Sequence, residues 1–267
     1  MMRSLWTGAS GMTSQQLNVD VISNNIANVN TAGYKKERAE FETLLYQTLR
    51  SASTDVDNDV RVPNSMQVGH GVKPVAISRM FDGGSLEVTG NTFDFALQGD
   101  GFFAVQKGND VMYTRDGTFK LSILNGTFTV VNSNGYPVLN TDNEPIEYDE
   151  NGDFVVDPAG NLFLETPEGT VDLGMTMNIT KFQNPQGLTA MGGNLFKESV
   201  TSGEPIIEAE EEDIAKTEVV QGVIEMSNVS IADEMVRLIT AQRAYELNSK
   251  SITTSDEMLQ LANNLKK

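Results

Sequence analysis

The chain has no cysteine, one histidine and one tryptophan in 267 residues, and its 19 lysines and arginines stand against 37 aspartates and glutamates. Without cysteine there is no disulfide, no thiolate nucleophile and no cysteine-ligated zinc. A serine triad needs an imidazole to take the hydroxyl proton, and the one candidate, His70, is set between Gly69 and Gly71 in a turn-rich stretch. The formal charge of -18, with no long basic run, argues against a partner with a phosphate backbone. No stretch reaches the roughly 18 to 20 consecutive apolar residues of a membrane span. The opening "MMRSLWTGASGMTSQQLNVDVIS" lacks the charged-then-apolar layout of a signal peptide, so any export is expected to use a route without a cleaved leader.

What is present begins with two helical ends. Met2, Leu5, Ala9, Met12, Val19, Ile22, Ile26 and Val29 follow helical spacing, with one polar step at Gln16. Near the other end Ile231, Leu238, Tyr245, Ile252 and Leu259 recur every seven residues, and Ser230 with Asp233 offers a capping-box-like start. This predicts one helix from Ser230 to about Lys266, roughly 50 Å long. Its companion positions, Met235, Gln242, Ser249, Asp256 and Asn263, are mixed in character, so the seam needs a partner, and the N-terminal helix is the one comparable segment.

Between about Val75 and Glu218 the pattern changes to period-two alternation broken by turn dipeptides: Asp100-Gly101, Asn125-Gly126, Asn134-Gly135 and Asn151-Gly152 read as hairpin signals. Residues 51–73 are polar and turn-rich, a long loop or extended hairpin. The acidic run Glu208, Glu210, Glu211, Glu212 and Asp213 reads as a solvated loop. "GDGFFA" at 99–104 matches a dinucleotide fingerprint, but the residues after it alternate like a strand instead of opening a helix. "DENGDFVVD" at 149–157 fails as a calcium loop: its sixth position is Phe154, and Gly160 stands where the twelfth-position glutamate belongs. Neither an acid–base pair of carboxylates nor a metal or cofactor site stands out. The predicted fold class is α+β, an antiparallel β-rich central domain flanked by N- and C-terminal helices that pair as a coiled-coil-like layer. Its divisions are 1–35 (helix), 36–74 (connector), 75–222 (β domain) and 223–267 (helix).

"NNIANVNTAGYKKERAEFETLLYQTLR" at 24–50 resembles the N-terminal signature of bacterial flagellar rod and hook proteins, and "EMSNVSIADEMVRLITAQRAYELNSKSITTSDEMLQLANNL" at 225–265 resembles their C-terminal signature. "GDGFFAVQKGNDVMYTRDGTFKL" and "NPQGLTAMGGNLFKESVTSGEP" are similar to the family's β domain, so the resemblance covers nearly the whole chain. The length leaves no room for the hook's extra outer domain, and "VGHGVKPVAISRMFDGGSL" is similar to the connector of the distal-rod branch. The resemblance implies a structural, non-enzymatic subunit that polymerises helically into a hollow shaft carrying torque from motor to hook. It also implies export beyond the cytoplasmic membrane through the flagellar type III apparatus, and the basal body as location. Expected partners are further copies of the chain, other rod and hook proteins, the export apparatus and the rod's bushing rings, with no nucleic acid, cofactor or small-molecule substrate. Another axial protein of similar length, from the proximal rod, or a secreted β-rich adhesin are the alternatives.

On this reading the terminal helices form the inner tube. The expected assembly residues are Leu5, Met12, Val19, Ile22, Asn24, Asn25, Ile26, Asn28, Val29, Thr31, Gly33 and Tyr34 at one end. At the other they are Ile231, Met235, Leu238, Gln242, Tyr245, Asn248, Ile252 and Leu259. Asn18 and Asn25 fall on one edge of the helical stripe and Asn24 and Asn28 point away from it, while Gly33 suits a left-handed stop after the helix.

Overall fold

The computed structural model describes residues 2–51, 53–55, 60–62, 64–124, 127–148, 152–166, 169–209 and 215–264. The expectations for Asn125-Gly126, Asn151, residues 210–213 and Lys266 lie outside them. The chain divides into two units, one made of Met1–Ile26, Glu37–Ser78 and Ile231–Lys267, the other of Ala27–Lys36 and Arg79–Ser230.

The first unit holds both helices, α1 (Met2–Ala27) and α2 (Ile231–Asn264). The connector between α1 and the β-rich region is one nested ribbon. Its strands are β1 (Glu37–Thr43), β2 (Gln47–Arg50), β3 (Ser53–Asp55), β4 (Val60–Val62), β5 (Met66–Val68) and β6 (Val72–Arg79). β1 lies beside β6, and β2 with β5 and β3 with β4 pair antiparallel. Among the described residues the paired strands of this connector lie between Glu37 and Arg79.

The second unit carries β7 (Leu86–Val88), β8 (Phe95–Gln98), β9 (Phe102–Lys107), β10 (Asp110–Thr114), β11 (Phe119–Leu124), β12 (Thr127–Asn132), β13 (Glu147–Tyr148) and β14 (Asp153–Val156). It continues through β15 (Asn161–Thr166), β16 (Gly169–Thr176), β17 (Ile179–Lys181), β18 (Thr189–Gly192), β19 (Leu195–Lys197), β20 (Ile206–Ile207), β21 (Glu218–Gln221) and β22 (Val223–Glu225). One sheet runs in the order β18-β19-β10-β9-β17-β20, and two three-stranded meanders, β11-β12-β13 and β14-β15-β16, accompany it.

Strand β9 explains why this unit closes. Successive side chains point to opposite faces, and Phe102, Phe103, Ala104 and Val105 are all buried. Phe103 and Val105 enter a core with Phe95, Phe119, Val130 and Leu162, while Phe102 and Ala104 enter a second with Tyr113, Leu139, Phe182 and Phe196. The Phe102 ring meets those of Phe81, Phe182 and Phe196 edge-on at centroid distances of 5.4 to 6.1 Å. Each such ring taken from water contributes on the order of 1.5–3 kcal/mol.

Four sequence expectations change here, the first being that the segment expected as helix from residue 223 holds β22 up to Glu225 and begins α2 only at Ile231. Asp100-Gly101 is not a hairpin, because β8 pairs with β21 and β9 with β10. A Cβ on Gly101 would stand 2.5 Å from Ile179 Cγ2, so the glycine serves close packing at a corner between sheets. Glu208 is not solvated: it is buried and its carboxylate accepts the Thr217 N–H at 2.6 Å and the Thr217 hydroxyl at 2.5 Å. α1 ends at Ala27, eight residues before the expected boundary of 35, and residues 27–36 belong to the β-rich unit. Gly33 does adopt the left-handed conformation, φ +67°, and a Cβ there would meet the Asp116 nitrogen at 2.5 Å.

Candidate assembly interface

Within the helical unit, α1 and α2 run antiparallel, and their seam is lined by small and polar side chains. The Ser4 and Ser255 hydroxyls stand 3.1 Å apart. A Cβ on Gly8 would come 2.9 Å from Ile252 Cγ1, and one on Gly11 would come 2.7 Å from Asn248 Nδ2, so each glycine permits close approach of the helices. At the far end Asn25 donates to the Glu234 carboxylate at 3.2 Å. Ser4, Gly8, Gly11, Asn18, Ile22 and Asn25 thus make one wall; Glu234, Ala241, Asn248, Ile252 and Ser255 make the other.

The companion row on α2 that faces α1 is therefore Glu234, Ala241, Asn248 and Ser255, with Asn248 half-buried and the others buried, one residue before the expected row, whose Met235, Gln242 and Asp256 are exposed. An apolar pattern cannot reveal it, since the opposing wall of glycine and serine selects small and polar partners. Its trace in the sequence is the heptad row of small and polar residues Ala241, Asn248 and Ser255, preceded by Glu234.

Asn25 is the buried member of the asparagine cluster. Its Nδ2 donates to the Glu37 carbonyl at 2.8 Å and its Oδ1 accepts the Glu37 N–H at 2.9 Å, as a neighbouring strand would. The same amide reaches Glu234, which is 1% exposed in the first turn of α2, where the helix N-terminus favours a carboxylate. Arg237 Nε lies 3.8 Å from the other Glu234 oxygen.

The remaining expected residues fall into three groups. Ile22 and Gly33 are buried; Leu5, Met12, Val19, Ile26, Asn28, Val29, Thr31, Tyr34, Leu238, Asn248, Ile252 and Leu259 are half-buried; Asn24, Ile231, Met235, Gln242 and Tyr245 are exposed. Asn28 shapes the turn after α1, its carbonyl accepting the Thr31 N–H at 3.1 Å and its side chain the Thr31 hydroxyl at 3.3 Å.

Helix α2 has a second apolar face. Val236, Ile239, Leu247, Met258 and Leu261 are each 46% to 68% exposed. At 3.6 residues per turn they fall within roughly a third of the circumference, on the side turned away from the Glu234 row. Val236, Leu247 and Met258 are eleven residues apart, and Ile239 and Leu261 are twenty-two apart, with Lys250 midway between them. An eleven-residue period and a seven-residue period drift in opposite senses around a helix, so one partner helix cannot follow both. His70 lines a cleft with Arg3, Trp6, Thr7 and Leu44, and among the described residues no cluster of three or more histidines and carboxylates could hold a metal.

Three family models match the chain: "Flagella basal body rod protein" over residues 5–35, "Flagellar hook protein FlgE/F/G D1 domain" over 96–163 and "Flagellar basal body rod FlgEFG protein C-terminal" over 220–265. The chain is 47% identical to the flagellar basal-body rod protein FlgG of Borreliella burgdorferi, with all of both chains covered. The chain belongs to the flagellar basal-body rod protein family. It is 38% identical to FlgG of Bacillus subtilis, again over the whole of both chains, and 31% identical to the flagellar hook-basal body complex protein FlhP of the same organism. The FlgG relatives thus agree with the distal-rod branch over other axial proteins. The rod-protein segments 5–35 and 220–265 contain both walls of the helical seam apart from Ser4, including Gly8, Gly11 and Glu234, which the apolar pattern did not indicate.

Proposed function

We propose that the chain is a non-catalytic structural subunit of the distal rod, which polymerises into a hollow shaft through its terminal helices and carries torque by packing alone. The carrying observation is the two-faced α2: one face is satisfied by α1, and the exposed row Val236, Leu247 and Met258 asks for a neighbour. A contact between unlike faces that does not close on itself generates a filament. The names of the relatives support a place in the flagellar basal body beside other axial proteins. Passage through the flagellar export apparatus and contact with bushing rings follow from the same reading.

Electron microscopy of basal bodies from a deletion strain tests it. Loss of the shaft beyond the proximal rod is the expected result, with recovery by the wild-type gene and none by a Leu247→Asp gene. An intact shaft in the deletion strain overturns the proposal and returns the adhesin reading.

A further inference from the structure

The segment that follows α1 and the segment that precedes α2 meet inside the β-rich unit on one carboxylate. Lys35 Nζ stands 2.6 Å from Glu225 Oε1 and donates to the Asp82 carbonyl at 2.9 Å. The Gly84 N–H donates to the same Oε1 at 2.8 Å, and the Gly33 N–H donates to the Glu225 carbonyl at 2.8 Å. Around them the Lys36 N–H donates to Asn228 Oδ1 at 2.8 Å, while Asn228 Nδ2 donates to the Met80 and Asp82 carbonyls at 3.0 and 3.1 Å. The Met226 N–H closes the knot on the Ser85 carbonyl at 2.8 Å.

Both ions are almost completely enclosed, with side chains 1% and 2% exposed. A second cation, Arg115, lies against the other carboxylate oxygen at 3.6 Å, its guanidinium 5.0 Å from the Phe102 ring centre. Burial holds the Lys35 amine below the ordinary lysine value, and Glu225 is the largest influence opposing that fall. Loss of one partner from a buried pair is severe because the other charge is left without compensation. Without Glu225, Lys35 and Arg115 are two buried cations with no carboxylate between them. Without Lys35, Glu225 keeps one ion contact, and that contact is long.

We propose that Lys35 and Glu225 form a mutual lock: residues 31–36 behind the first helix and residues 225–228 before the second are held in the β-rich unit as a pair, and release of either releases both. Neither segment is an independent anchor. A load arriving along either terminal segment reaches the same carboxylate. The lock stands on the geometry of this unit and does not depend on the assembly reading.

Amide hydrogen exchange on the full-length chain tests it, with Gly33 and Lys36 reporting one segment and Met226 the other, and with β9 and β10 as internal controls. Lys35→Met and Glu225→Gln are each expected to speed exchange at all three reporters by at least tenfold while β9 and β10 keep their protection. The double variant is expected to show less than the product of the two single effects. If Lys35→Met loosens Gly33 and Lys36 but leaves Met226 as in the wild type, or if neither variant changes any reporter, the segments are anchored separately and the lock is wrong. Should either substitution also unprotect β9 and β10, Glu225→Asp keeps the charge and shortens its reach, and the same reporters decide under that milder change.

Discussion

Asn25 and Glu234 are joined across 209 residues of sequence, amide nitrogen to carboxylate at 3.2 Å, in the buried end of the helical seam. Because the same amide also binds Glu37 in both directions, one side chain fastens three elements: the last turns of α1, the first residue of β1 and the first turn of α2.

Asn25→Ala is expected to destabilise the helical unit by about 1–3 kcal/mol for the buried groups left without partners. Asn25→Asp should be worse near neutral pH, since it sets a second carboxylate against Glu234 in a buried place. Thermal unfolding followed by circular dichroism should show the helical signal lost earlier, with the β-rich transition where it was. An Asp variant as stable as the wild type would remove Asn25 from this role.

The glycines of the seam give a second expectation. Gly11→Ala meets the movable end of Asn248, and the gain of up to about 1 kcal/mol in helix propensity offsets the adjustment. Gly11→Leu has no such room and should part the helices. Since the chain has no cysteine, a Ser4→Cys/Ser255→Cys pair reports the seam without background. Its disulfide should form readily in the wild-type and Gly11→Ala settings and fail with Gly11→Leu; equal yields in all three would show that the helices are not held as described.

Periodicity made the helices and the β-rich middle legible, because each imposes a repeat on neighbouring residues, whereas residues 51–73 showed only a polar, turn-rich composition. The seam's companion row was hidden, since Gly8, Gly11 and Ser255 contribute by being small. Glu208 was hidden inside an acidic run whose neighbours share its composition. The membership of residues 27–36 in the β-rich unit was hidden most deeply: it rests on Lys35 finding Glu225 after 190 positions, and a bond over that distance leaves no local pattern. Gly33, expected as a left-handed stop after the helix, is in the fold part of a segment tied to Glu225.

Asp116 supplies a pH expectation. Burial raises its carboxyl above the ordinary value of 3.8, against the hydrogen bonds from the Thr118 N–H at 3.0 Å and hydroxyl at 2.7 Å, which favour the ion. Nearby Asp94 adds to the rise. The folded chain therefore holds this proton to higher pH than the unfolded chain, and the favourable contribution present below 3.8 is lost as pH rises through the folded value. Asp116→Asn keeps an oxygen acceptor for Thr118 and carries no charge, so its urea midpoint relative to the wild type should improve between acid and neutral pH. Parallel midpoints over that range would show that Asp116 is not the group responsible.

The exposed row of α2 makes the last and most direct test of assembly. Leu247 is 68% exposed and sits at the middle of the Val236, Leu247, Met258 row. Within the isolated chain Leu247→Asp should change the unfolding free energy by no more than about 0.5 kcal/mol, as exposed substitutions ordinarily do. In a neighbour's interface the same carboxylate would be stripped of water with no partner, a cost of several kcal/mol. The expected signature is therefore a split: an unchanged monomer by calorimetry, and loss of concentration-dependent association by sedimentation. A Leu238→Asp control on the opposite side of α2 should disturb the monomer itself, because that side chain is half-buried. If Leu247→Asp associates as the wild type does, the eleven-residue face is not the surface through which copies meet.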